Sequence, residues 1–311
     1  MTIQQILNKV DNIETNVNYW FVRTNQGKDY EAFTKGGYIA IGWDYISLGE
    51  ILENNESKIR TKIANLEKLD FGKTKDKIRI TLAYNKIRTF VNLKKGDYVV
   101  VPSQGSDRLS FGKILDDKPY GEGGDLSEIS NFKRRRVEWI ATQNIRSLPA
   151  IFYQVKSNHH TISNINRFAP YIDKVVGNLF KKDDKLHFIL NIEQEKDIAF
   201  EDVKGLMENI DLLIRDINDE LNFNDNLEDF MVKINLQSKG TIELIKPGKA
   251  LAILAFLLSL VSCGKLDDSS NDPEIQNLIN KNRTALDQTG EKIEKMKVNT
   301  KELTKPFGHG K

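Results

Sequence analysis

Cysteine is almost missing from this chain: Cys263 is the only one in 311 residues. A single thiol excludes an internal disulfide framework and a thiolate zinc cluster, and it suits a reducing cytoplasm. Net charge is almost missing too. Lys and Arg number 46 against 44 Asp and Glu, a balance of +2. Bulk charge therefore gives no warrant for a nucleic-acid partner, and any basic surface has to be local. The opening residues, MTIQQILNKVDNIETN, hold no apolar core, so no secretory leader is expected there. The four histidines form no cluster. His159 and His160 are adjacent, and on a strand they point to opposite faces, which defeats a shared metal. A phosphate-cradling P-loop and a Gly-x-Ser-x-Gly turn are both absent, and no Ser, His and Asp make a credible set. The expectation is a binding protein with no metal, no cofactor and no catalytic residues.

What is present is the composition of a folded protein, 39% hydrophobic and 29% charged, with length enough for two domains. One apolar run stands out. Ala250 to Cys263 read ALAILAFLLSLVSC, without a charge, late in an otherwise polar chain. Leu251, Leu254, Phe256, Leu257, Leu258 and Leu260 leave no polar face on a helix. Fourteen helical residues reach about 21 Å, short of a hydrocarbon core of about 30 Å. Lys249 and Lys265 flank the run and can snorkel toward headgroups. Two placements stay open: contact with the inner membrane, or the central helix of a buried or oligomeric core. Leu260-Val261-Ser262-Cys263 looks like a lipobox, but it lies far from the chain start, so Cys263 reads as a small buried apolar residue.

Residues 1–16 carry Ile3, Ile6, Leu7, Val10 and Ile13 at helical spacing behind Thr2, an amphipathic lead-in helix. Residues 17–170 read as short strands with glycine turns, Tyr98 to Val101 pairing with Leu109 to Ile114 as a hairpin, and one inserted helical stretch near Ser47 to Leu66, a small, partly open β-barrel. Gly121 to Gly124 mark a mobile loop. Residues 180–247 predict a strand, a helix over 200–221 with Leu206, Ile210, Leu213, Ile214 and Ile217 on its buried face, and a hairpin, a small α+β domain that ends at Pro247-Gly248. The apolar helix over 249–264 follows. Residues 272–304 form an amphipathic helix, capped by Asp272 and Pro273, with a weak point at Gly290 and a surface suited to homo-oligomers. PFGHGK at the end should fray. The fold class is α+β.

The order of motifs in the barrel segment carries a resemblance. Trp20-Phe21-Val22-Arg23 is followed by a glycine-led Ile39-Ala40-Ile41-Gly42-Trp43 and then by Lys95-Gly96-Asp97-Tyr98-Val99-Val100-Val101. Next come Gly112-Lys113-Ile114, an Arg-rich strand ending Val137-Glu138-Trp139, and Lys156 to Ser163. From about Tyr19 to Arg167 this resembles the N-terminal domain of Mrr-type restriction endonucleases, a domain similar to PUA/EVE β-barrels. The resemblance implies a pocket that reads a base or a nucleotide.

The residues themselves supply candidates for such a site. Lys133, Arg134, Arg135 and Arg136 are four consecutive cations. On a strand Lys133 and Arg135 share one face and Arg134 and Arg136 the other, so one pair can reach phosphates. A solvated edge strand blunted by charge is the competing reading. Aromatic rings beside cations suit bases: stacking holds the ring and the cation holds the phosphate. Trp43, after Gly42 at a strand end, is the best stacking candidate, whereas Trp20 and Trp139 read as core. Arg23, Arg88, Arg108 and Asn158 are candidates for the rim. A nuclease of the Mrr type needs a glycine-flanked metal Asp and a Gln-x-Lys or Glu-x-Lys. Gln194-Glu195-Lys196 with Asp183 and Asp184 offers only part of that set.

Two non-catalytic functions and one catalytic function follow as expectations. One is a non-catalytic defence effector whose barrel binds a nucleic-acid or nucleotide signal and whose apolar helix assembles and perturbs the inner membrane. Its layout resembles bacterial anti-phage effectors. The other is a DNA-binding specificity subunit with the nuclease on another chain. Metal-dependent cleavage through Lys196 is a third.

Overall fold

The computed structural model describes residues 1–121, 133–237, 239–266 and 272–308. The chain is α+β and divides into two compact units, residues 16–176 and residues 1–15 joined to 177–311. It opens in the second of these, with α1 (Ile3–Leu7) and β1 (Asp11–Asn12). Thr2 caps α1 in a reciprocal box: the Gln5 N–H donates to Thr2 Oγ1, and the Thr2 N–H donates to Gln5 Oε1. The helix is shorter than the amphipathic spacing predicts, because the chain extends at Asp11 to pair with a later strand.

The first unit contains β2 (Tyr19–Val22), α2 (Tyr30–Gly36), β3 (Tyr38–Ile41), α3 (Leu48–Leu52), α4 (Glu56–Leu66) and α5 (Thr74–Val91). It continues with β4 (Tyr98–Pro102), β5 (Arg108–Ile114), β6 (Tyr120–Gly121), β7 (Lys133–Asn144), α6 (Phe152–Lys156), β8 (Ile162–Asn164) and α7 (Ala169–Val176). The strands form one sheet in the order β3-β7-β5-β4-β2-β8, with β6 also on β7, curled into a half-barrel. The expected β4–β5 hairpin is present, with Tyr98 opposite Lys113. A register shift at Phe111/Gly112 bends β5 against β7. Any Cβ on Gly112 would sit 2.4 Å from Val137 Cγ1, so that crossing requires glycine. One sheet face buries Ile39, Ile41, Val99, Val101 and Val137 against α2 to α5. Phe21, Val100 and Phe111 are buried on the other, where Phe111 meets Phe152 of α6 edge-on at 5.7 Å and α7 packs on β5 and β7. The expected loop at Gly121 to Gly124 lies outside the described residues after Gly121, and so does Phe132.

The second unit adds β9 (Leu179–Lys182), β10 (Lys185–Ile192), α8 (Phe200–Glu220), β11 (Met231–Gln237), β12 (Lys239–Pro247), α9 (Ala250–Ser262), α10 (Pro273–Lys281), α11 (Arg283–Lys295) and α12 (Thr300–Thr304). Its sheet runs β1-β9-β10-β12-β11. Asp183 and Asp184, both at positive φ, make the two-residue turn of the β9–β10 hairpin. Gln194, Glu195 and Lys196 follow β10 in irregular chain, and Glu195 pairs with Lys239 at 2.8 Å. The amphipathic segment from Pro273 breaks at Asn282 rather than at Gly290. Gly290 instead admits a close approach, for a Cβ there would lie 2.5 Å from Val261 Cγ1 of α9.

The apolar run is the axis of this unit. Every side chain from Ala250 to Leu260 is buried, and Leu251, Leu254, Phe256, Leu257, Leu258 and Leu260 are all 0% exposed. α1, α8, α11 and α12 pack around α9, as do β10 and β12, so the helix needs no polar face. Among the described residues no helix is long and apolar enough to cross a membrane. This corrects the transmembrane reading: the same fold that makes the run oily supplies its cover. The ends are built to match. Asp225 Oδ2 accepts from the Lys249 and Ala250 N–H groups at 2.8 and 3.0 Å, satisfying the first turn. Gly248, at φ 96°, is required there because a Cβ would strike the Asp225 carboxylate. At the other end Gly264 is left-handed and the Lys265 N–H donates to the Leu260 carbonyl, a Schellman closure.

Candidate nucleic-acid interface

β7 divides its four cations as strand alternation predicts. Lys133 and Arg135 point inward and are 1% and 0% exposed. Lys133 Nζ donates to the carbonyls of Trp43 and Ile46 at 2.9 and 3.2 Å and lies 3.6 Å from Asp44. Burial lowers its pKa from the ordinary lysine value, and Asp44 partly offsets the shift. Arg135 pairs with Asp116 at 2.7 Å and also donates to the carbonyls of Val91 and Leu93. It thereby covers the C-terminal end of α5, where partial negative charge gathers. Both residues are structural props, which removes them from the set that can touch a ligand.

Arg134 and Arg136 point the other way and cross between two tyrosines. The Arg134 guanidinium lies 4.2 Å from the Tyr38 ring centre, and that of Arg136 lies 5.3 Å from Tyr120. The strand pairing explains the grouping, because Tyr38 is opposite Arg136 and Tyr120 is opposite Arg134. Burial raises the Tyr120 pKa, and the two arginines partly counter it. Among the described residues the buried Tyr38 hydroxyl has no hydrogen-bond partner.

A second arrangement lies on the helical side of the unit. Trp20, Glu56, Tyr84, Asn85, Arg88, Thr89 and Asn92 line an open cleft of about 580 Å³, within the usual size of small-ligand sites. Five of these come from one side of α5 and its C-cap, at spacings of three and four. Tyr84 is buried and serves as a base plate. Arg60 and Arg88 place their guanidiniums 4.8 and 5.9 Å from its ring centre, and Arg88 also donates to its hydroxyl at 3.1 Å. Arg60 is further held by Glu56 and by Thr81 Oγ1. Trp20 faces the cleft from β2, half-buried. Its indole N–H donates to Asp97 Oδ2 at 2.9 Å, and the same carboxylate accepts from the Asn18 and Lys94 N–H groups. The indole is thus fixed in orientation before any ligand arrives. Asn85 and Asn92 are exposed beside it, with amides free to face a base edge.

The remaining predicted residues scatter. Trp43 adopts φ 60° and ties its indole N–H to Glu67, which also accepts from the Tyr45 hydroxyl. It does not line the cleft. Arg23 Nη1 donates to the carbonyl of Asn158, so those two candidates meet each other. Arg108 is exposed, 3.9 Å from Glu31 and 5.7 Å from the Tyr30 ring centre. His159 and His160 are both exposed in the loop before β8. Of the predicted set only Arg88 enters the cleft. Trp20, read from sequence as core, and Tyr84, Asn85, Thr89 and Asn92 were the residues missed. For Asn85, Thr89 and Asn92 the signal was available as the polar side of α5 and its C-cap, whose apolar side is Ile80, Ala83, Tyr84, Ile87 and Phe90.

Residues 20–166 match a family described as a domain of unknown function (DUF8426). The match lies within the first unit and contains the cleft and β7. No curated protein matches the chain.

Proposed function

We propose that the first unit is a nucleic-acid-binding module that holds an unpaired base in the Trp20–Arg88 cleft. The observation that carries this reading is the cleft's composition. An immobilised indole and the Arg88 guanidinium offer stacking planes, and the asparagine amides offer hydrogen bonds to a base edge. Arg134 and Arg136, cross-braced by Tyr38 and Tyr120, supply a separate cationic face for phosphates. The PUA/EVE resemblance carried by the sequence motifs implies the same class of ligand. Of the two non-catalytic expectations, the specificity module working with a partner chain does not require the apolar helix to meet lipid. The membrane-perturbing effector depends on an apolar helix that is fully enclosed by its own unit.

The test is a titration of labelled trinucleotides, as RNA and as DNA, against the full chain. Trp20→Ala and Arg88→Ala should each weaken binding by about 5- to 100-fold, the effect of losing one stacked base. Equal affinity for the parent and both variants, with folding intact by circular dichroism, refutes the cleft as the base site.

A further inference from the structure

The near-zero net charge conceals a strong local one. Residues 56–95 contain twelve Lys and Arg against four Asp and Glu, a local charge of +8 on a chain of net +2. These residues are α4, α5 and their flanks, the same segment that forms one wall of the cleft. On α4, Arg60 and Lys62 are held by Glu56 and Glu50. On α5 no described carboxylate forms an ion pair with Lys75, Lys77, Arg79 or Lys86. Lys75, Arg79 and Lys86, four and seven residues apart, lie along one line of the helix, while Lys77 sits toward the cleft side. Lys75, Lys77 and Arg79 are exposed. A row of like charges without partners costs self-repulsion, and a polyanion relieves that cost.

We infer that α5 is a phosphate track for a single-stranded polynucleotide, leading one of its bases into the cleft. This rests on the base-binding reading above and extends it from a single base to a strand. Length favours a strand over a free nucleotide. An 18-residue helix is about 27 Å long, enough to follow several successive phosphates and far more than one nucleotide occupies. Single-strandedness follows from the cleft, since a base inside a duplex is not free to leave its stack. The exposed Ile78 and Leu82 between these cations would also suit an anionic lipid surface. The cleft on the same helix, with its indole and amides, favours nucleic acid.

The experiment compares the full chain with a Lys75→Ala/Arg79→Ala/Lys86→Ala variant on three probes. These are a labelled 15-nucleotide single strand of mixed sequence, the trinucleotides above, and vesicles of phosphatidylglycerol. Losing three phosphate contacts should reduce the salt slope of 15-mer binding by about 2. Between 50 and 200 mM salt the parent then loses roughly 20-fold more affinity than the variant, from the same relation. Trinucleotide binding should change little. Identical salt slopes for parent and variant, with trinucleotide binding retained, overturn the track and spare the cleft. Absence of trinucleotide binding in the parent overturns the reading beneath it. Binding of the parent to vesicles but not to the 15-mer replaces the track with a lipid surface.

Discussion

Leu254 and Leu258 separate the buried-core account of α9 from a lipid-facing one. They lie one turn apart and are 0% exposed within the second unit. Truncating either to alanine removes its transfer free energy and leaves a cavity, together about 2–5 kcal/mol. Leu254→Asp/Leu258→Asp adds the cost of desolvating two carboxylates with no partner nearby, several kcal/mol more. The total for the pair is on the order of 10 kcal/mol, comparable to the whole stability of an ordinary domain. The alanine variants should therefore lower the urea midpoint with an unchanged m-value, while the double aspartate variant should lose the fold of the second unit. Circular dichroism, urea titration and size exclusion read all three. A lipid-facing helix predicts the reverse: the aspartates would make the protein better behaved in water. A folded, monodisperse double aspartate variant with parental stability refutes the enclosed helix.

Three further outcomes follow from the paired charges. Asp225 caps α9 and lies 3.5 Å from Lys246, which is fully buried, so Asp225→Ala should cost about 3–5 kcal/mol in urea titration by stranding that lysine. Adding Lys246→Met should restore much of the loss, and no recovery would mean the pair is not coupled. Arg135→Met should destabilise the chain by about 3 kcal/mol or more, whereas Arg134→Met, on the outward face of the same strand, should cost about 1 kcal/mol or less. Equal losses would contradict the division of β7. The hydrogen bond from Lys62, aided by the Ser47 N–H, holds the Glu50 carboxyl down to about 2. A folded pKa below the unfolded one gives stability that is present above about pH 4.5 and lost as the pH falls toward 2. With solvent screening, Glu50→Gln should cost about 1 kcal/mol at neutral pH, and the gap to the parent should close in acid.

The sequence was most legible where periodicity and burial agree. Tyr98 to Val101 and Leu109 to Ile114 read as a hairpin, and Leu206, Ile210, Leu213, Ile214 and Ile217 read as the buried side of α8, because alternation and helical spacing report which face meets a core. Strand alternation also divided Lys133 and Arg135 from Arg134 and Arg136 correctly, although it did not say which pair faces inward. That depended on where Asp116 and the end of α5 lie, and both are contacts distant in sequence. The apolar run was ambiguous for the same reason. Thirteen residues without a polar face specify a dry environment, and only tertiary packing determines whether protein or lipid provides it. α5 went unread because Lys73, Lys75, Asp76, Lys77 and Arg79 mask the periodicity of its first turns. The cleft went unread with it, since Trp20 looked like core until the neighbouring helix was in place.

Where a nucleic acid lies when it is bound decides most directly whether the Trp20–Arg88 cleft is a base site. A 15-nucleotide strand carrying 4-thiouridine, photocrosslinked to the full chain and mapped by peptide mass spectrometry, measures this. The crosslinks should fall on peptides containing Trp20 or residues 84–92. Crosslinks confined to residues 177–308, or none at concentrations that saturate binding, would contradict it.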